Sequence, residues 1–235
     1  MSTEALFVQR LMDRGLTRLQ AQRWYIFAAG GLQALDRAAA VLATEPRWAS
    51  LLQKIGTRSL EETDITTELF HIFQELQELA PIDSTLRQYT IGCEVPVQAP
   101  NRAGKRSRDA DLVLSTLQYQ AALRLILESK LLRRVSDVNS AYLGSDGLGC
   151  FTCIDSPYTT AHVAAMAAYV RSNSAEAWES ELHTRLSASV PTLIMDTGLF
   201  PLYDGGRDFL FSDVRRDDLA LDPLLLLHRA FLFPA

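Results

Sequence analysis

The hydrophobic period of this chain changes after residue 80, and that change limits what it can fold into. Before it, apolar residues recur three and four apart: Leu6, Phe7, Leu11 and Met12, then Leu32, Leu35, Ala38, Ala39 and Leu42, then Ile65, Leu69, Ile72, Phe73, Leu76 and Leu79. This spacing predicts helices within 4–55 and 59–80, with Gly30 and Gly31 splitting the first block and Pro81 ending the last. From Gln88 the period falls to two. Tyr89, Ile91, Cys93, Val95 and Val97 alternate with other residues, as in a strand with one buried face. The chain is therefore read as α/β, with an N-terminal helical region over 1–58 and a sheet-bearing domain over 59–235.

Composition narrows the function classes. With 48% hydrophobic and 22% charged residues over 235 positions, the chain can bury a core of its own, which excludes disorder. Three cysteines cannot build a disulfide framework, so a reducing compartment is expected. Glu4 precedes the first apolar run, unlike a signal peptide, and the apolar stretch 219–233 is interrupted by Asp222, Pro223, His228 and Arg229, so no membrane span is expected. A cytoplasmic protein is the expectation. The net charge of −5 excludes a nonspecific polyanion coat and directs the search to local clusters.

Beyond the first strand, a loop over 100–109 leads to the β-rich run Asp111 to Ser115. After a polar turn at Tyr119 and Gln120 comes a second such run, Leu123 to Lys130, close enough to form an antiparallel hairpin. Residues 136–158 read as loop. Over 160–186 the spacing of Val163, Met166, Ala167, Val170, Trp178 and Leu182 predicts a return to helix. Residues 190–195 and 209–214 suggest two late strands, and 224–233 a closing apolar segment.

On the second hairpin strand, a period of two puts Glu128 and Lys130 on one face, with Leu125 and Leu127 on the other. A hairpin centred between Tyr119 and Gln120 sets Asp111 opposite Glu128. Two carboxylates this close repel one another unless a cation lies between them, and hard oxygen ligands suit Mg²⁺, or Mn²⁺. A lysine beside them can orient or help deprotonate an attacking water, or stabilise charge growing at phosphorus. Together these groups point to metal-assisted phosphodiester hydrolysis.

An Asp followed by Glu-x-Lys on successive hairpin strands, preceded by a helix and a strand, resembles the PD-(D/E)xK nuclease superfamily. The resemblance covers roughly 60–170. It implies a restriction-endonuclease-like mixed sheet flanked by helices, with Asp111 as the motif aspartate and Glu128 and Lys130 as the ExK half. Ala110 stands where that family often has Pro. The family commonly adds a helix-borne glutamate. Helical projection favours Glu62, with Glu68 in reserve, since Glu62 falls within the stripe of Ile65, Leu69 and Leu76. The alternative reading of Glu62 is a capping-box partner of Ser59. The resemblance further implies that the Ser129 carbonyl completes the metal shell.

The loop before Asp111 carries Arg102, Lys105, Arg106 and Arg108, and Arg133 and Arg134 follow the Glu-x-Lys strand. Flanking a phosphodiester-cleaving site, these cations would hold a nucleic-acid backbone, DNA before RNA, through phosphate contacts that carry no sequence information. The segment 142–151 is similar to its counterpart in small stand-alone prokaryotic nucleases of this superfamily, which implies a phage-defence or mobile-element setting. Other signals are bland. Cys150 and Cys153 lack a second pair for zinc, the four histidines are scattered, and phosphate loops and serine-nucleophile motifs are absent. A nuclease-fold subunit that binds nucleic acid or a partner protein without cutting is the alternative function. A partner supplying specificity or activation, and a homodimer, both fit a chain with no recognition-helix signature in 1–58.

Overall fold

The computed structural model describes residues 3–97, 109–116, 123–153, 157–189, 193–203 and 206–235. Four helices come first: α1 (Thr3–Met12), α2 (Arg18–Leu42), α3 (Glu45–Ile55) and α4 (Glu62–Leu79). Local chemistry sets their limits. The Thr17 hydroxyl accepts the Gln20 N–H at 3.3 Å while the Gln20 side chain accepts the Thr17 N–H at 2.8 Å, a reciprocal cap that starts α2. Gly56, at φ +68°, ends α3, and α4 stops two residues before Pro81.

Gly30 and Gly31 do not split α2, which runs through both. They sit where the sheet side presses on the helix. A Cβ at Gly30 would lie 2.4 Å from the Tyr89 hydroxyl oxygen, and one at Gly31 would lie 2.8 Å from Leu114 Cδ1. The glycines permit close approach, at a modest cost in helix propensity, instead of breaking the helix.

Seven strands follow: β1 (Thr90–Pro96), β2 (Asp109–Thr116), β3 (Leu123–Leu132), β4 (Val163–Val170), β5 (Ile194–Pro201), β6 (Asp208–Val214) and β7 (Leu224–Leu232). They form one mixed sheet in the order β1-β2-β3-β4-β7-β6-β5. The central pairs β3/β4 and β4/β7 are parallel, and the outer pairs are antiparallel. The two remaining helices are a single turn, α5 (Gly149–Thr152), and α6 (Ala175–Ala188).

The predicted helix beginning at residue 160 is a strand over Val163–Val170, with helix only from Ala175. All eight residues of β4 are buried. Val163, Ala165, Ala167 and Tyr169 pack with α1–α4, whereas Ala164, Met166, Ala168 and Val170 pack with α6 and the turn at Tyr142. A parallel strand covered on both faces has no polar alternation to betray its period. The closing segment behaves likewise: β7 is a central strand, with Leu225, Leu227 and Phe231 facing one layer and Leu224, Leu226 and Ala230 the other. The result is helices, sheet and helix in three layers.

Candidate metal centre

The site lies where the sheet forks. Strands β2 and β3 pair from Thr116 opposite Leu123 to Leu112 opposite Leu127, the register of a hairpin centred between residues 119 and 120. There they part. Strand β2 continues beside β1 to Asp109 opposite Pro96, while β3 runs on beside β4 from Leu127 opposite Ala165 to Leu132 opposite Val170. Beyond Leu127, the β3 amides on the β2 side have lost their ladder partners, and buried amides need replacements.

Two carboxylates supply them. Asp111 Oδ2 accepts the Ser129 N–H at 2.6 Å and the Ser129 hydroxyl at 2.6 Å. Glu62, the first residue of α4, reaches across so that its Oε2 accepts the Leu131 N–H at 2.9 Å. Lys130 Nζ donates to Glu62 Oε1 at 3.0 Å and to Glu128 Oε1 at 2.7 Å. Behind them, Thr66 Oγ1 lies 3.1 Å from both Ser129 Oγ and the Tyr169 hydroxyl, a buried hydroxyl link from α4 to β3 and β4.

Charge does not balance here. Three carboxylates meet one ammonium, and Glu128 Oε2 is buried with no hydrogen-bond partner. Burial, reinforced by the Asp111 charge and opposed by Lys130, pushes the Glu128 carboxyl up to about 8. Glu62 is raised in the same direction, by burial and then by Asp111, against the pull of Lys130. Burial acts to lower Lys130, but the Glu128 and Glu62 carboxylates outweigh it and raise the ammonium above its ordinary value. One ligand oxygen from each of Glu62, Asp111 and Glu128 lies within 4.8 Å of the others, so the triad could hold a metal ion.

The remaining candidates fall elsewhere. Glu68 forms an ion pair with Lys54 of α3. Ser59 does not cap α4 through Glu62; the Glu61 N–H donates to Asp64 Oδ2 at 2.8 Å instead. Arg133 and Arg134 are exposed, with both backbone N–H groups on Asp137 Oδ2, and an Arg133 guanidinium N–H reaches the Leu60 carbonyl at 2.9 Å. Arg102, Lys105, Arg106 and Arg108 lie outside the described residues. Cys150 and Cys153 are free thiols. Sequence reasoning missed Thr66, Ser129 as a hydroxyl donor, and Tyr169. Thr66 was within reach, one turn after Glu62 on the same helix face.

Among the described residues, no single helix is long and apolar enough to cross a membrane. Neither a family model, nor a curated protein, nor a solved structure matches this chain.

Proposed function

We propose that the chain is a divalent-metal-dependent nuclease with a restriction-endonuclease-like core, acting on DNA before RNA. The observation that carries this reading is the orphaned Glu128 oxygen beside Asp111 and Glu62, in a cluster short of positive charge. The donor set fits Mg²⁺ or Mn²⁺: every candidate ligand is a hard oxygen, and the excess negative charge is what a cation would offset. Asp111 and Glu128 would bind the ion, assisted by Glu62 and by the Ser129 carbonyl, which shares the fork side of β3 with its own N–H. When bound, such an ion neutralises charge on the phosphodiester oxygens and favours attack by water.

The other steps belong to the chain's own groups. Lys130, kept protonated by two carboxylates, is a fixed cation and not a proton acceptor, so its role is to orient the attacking water and stabilise charge developing at phosphorus. The Ser129 hydroxyl and the link through Thr66 hold Asp111 in place. Wild type and Lys130→Ala should be incubated with supercoiled plasmid, linear duplex, single-stranded DNA and RNA, each with Mg²⁺, Mn²⁺ or EDTA. Metal-dependent cleavage by wild type alone is expected. Cleavage that persists in EDTA, or is equal in the variant, contradicts the reading. A gel shift in EDTA without cleavage in any metal indicates a binding subunit.

A further inference from the structure

Next to the fork lies a cavity of about 560 Å³ that the cleavage chemistry does not use. Its apolar floor is made by Leu52 and Ile55 of α3, Leu60 before α4, and Leu131 and Leu132 at the end of β3. Arg58, Arg133 and Arg171 complete the wall, and no acidic side chain lines it. In a chain with 28 acidic and 23 basic residues, that is a local reversal of charge.

The three arginines differ in what they have left to offer. Arg58 is committed to Asp64, with one hydrogen bond at 2.7 Å and a second, shorter one. Arg133 and Arg171 have no carboxylate partner among the described residues. Each guanidinium is anchored by one bond to a carbonyl, Arg133 to Leu60 at 2.9 Å and Arg171 Nε to Pro234 at 2.8 Å, so most of each donor fork is uncommitted. Arg171 is further fixed over the Trp48 ring, 5.5 Å from its centroid. Two pre-oriented guanidinium groups over an apolar floor match a group that is anionic at one end and flat and apolar at the other.

The cavity also shares a wall with the metal centre. The Leu131 side chain lines it while the Leu131 N–H is held by Glu62, and Arg133 follows Lys130 by three residues, about 10 Å of extended chain. We infer that this cavity binds one unstacked nucleotide of the strand that crosses the site, its phosphate between Arg133 and Arg171 and its sugar and base on the leucine and isoleucine floor. The volume is that of an ordinary small-ligand pocket, and an aliphatic floor would accept any base. This inference rests on the nuclease reading, since it takes the flanking nucleotide from the same strand.

The test reads binding and not cleavage. Anisotropy of a labelled ten-nucleotide single-stranded DNA is measured in EDTA and again in Ca²⁺, for wild type, Arg133→Gln, Arg171→Ala and the double variant. Arg133→Gln removes the charge and keeps a donor for the Leu60 carbonyl, and Arg18→Ala, exposed at the start of α2, is the control. Each cavity variant is expected to weaken binding about tenfold and to reduce the salt slope by roughly one, with Arg18→Ala unchanged. Excess ADP or inorganic phosphate should compete only weakly. An unchanged Kd in the double variant, a wild type that does not bind the strand, or ADP binding tighter than the strand overturns the inference. The two readings fail separately: strand binding that needs both arginines in a protein that never cleaves sinks the nuclease alone, and metal-dependent cleavage with arginine-independent binding sinks the cavity alone.

Discussion

Arg229 on β7 and Glu128 on β3 are equally buried, each 4% exposed, yet the protein treats the two charges differently. Around Arg229 the polar groups close on themselves. Its Nε donates to Asp36 at 3.0 Å, a second N–H makes a shorter bond to the same carboxylate, and Nη1 reaches the carbonyls of Arg207 and Asp208 at 3.3 and 3.1 Å. Glu179 accepts the Ala230 N–H at 3.2 Å and lies 3.6 Å from Arg207, so two cations meet two carboxylates. At the fork, three carboxylates meet one ammonium and a buried oxygen is left without a partner. A cluster completed by protein atoms serves the fold, and one that protein atoms leave incomplete points to something bound from outside.

This contrast can be broken most sharply at Lys130 and Asp111. Alanine at either position should lower metal-dependent cleavage about 10³-fold, on the order of 4 kcal/mol of barrier, without lowering the melting temperature. Initial rates and thermal unfolding on the same preparations check both halves. Arg229→Ala should do the reverse. Leaving Asp36 and Glu179 buried without their cation should cost about 3 kcal/mol in denaturant unfolding, with the rate per folded molecule unchanged.

A smaller effect follows from the direction of the Glu128 shift. In the metal-free fold this carboxyl keeps its proton up to about 8, whereas the unfolded chain releases it near its ordinary value of 4.5. The folded state is thus favoured below 4.5 and loses that advantage as pH rises toward 8. Glu128→Gln carries no such charge. Its stability relative to wild type should therefore grow between pH 4.5 and 8, on the order of 2 kcal/mol, and then level off. Paired unfolding curves in EDTA across that range measure it, and a flat difference would deny that Glu128 is the strained group. Thr66→Val is the mildest change. Cutting the hydroxyl link to Ser129 and Tyr169 should cost about 1 kcal/mol of stability and a few-fold in rate, because Asp111 loses a support and not a ligand.

The fork was legible where local rules govern it. The hairpin centre set the register that carries Asp111 and Glu128 toward each other, and the apolar stripe of α4 singled out Glu62. Legibility failed where two layers act on one segment. Val163, Met166, Ala167 and Val170 fit a helical period as well as they fit a strand buried on both sides, so β4 was missed, and Tyr169 with it. Gly30 and Gly31 carry the same local signal whether they break a helix or admit Tyr89 and Leu114. The Arg229 cluster was out of reach altogether, since Asp36 and Arg229 are 193 residues apart and meet only through the sheet order.

Direct titration of Mn²⁺ into the purified protein tests the central claim, that the fork is completed by a divalent cation. Wild type is expected to bind the ion and to gain thermal stability on doing so, while folded Asp111→Asn and Glu128→Gln bind it at least tenfold more weakly and gain little. Equal Mn²⁺ binding by wild type and both variants, or none by wild type, would contradict the account.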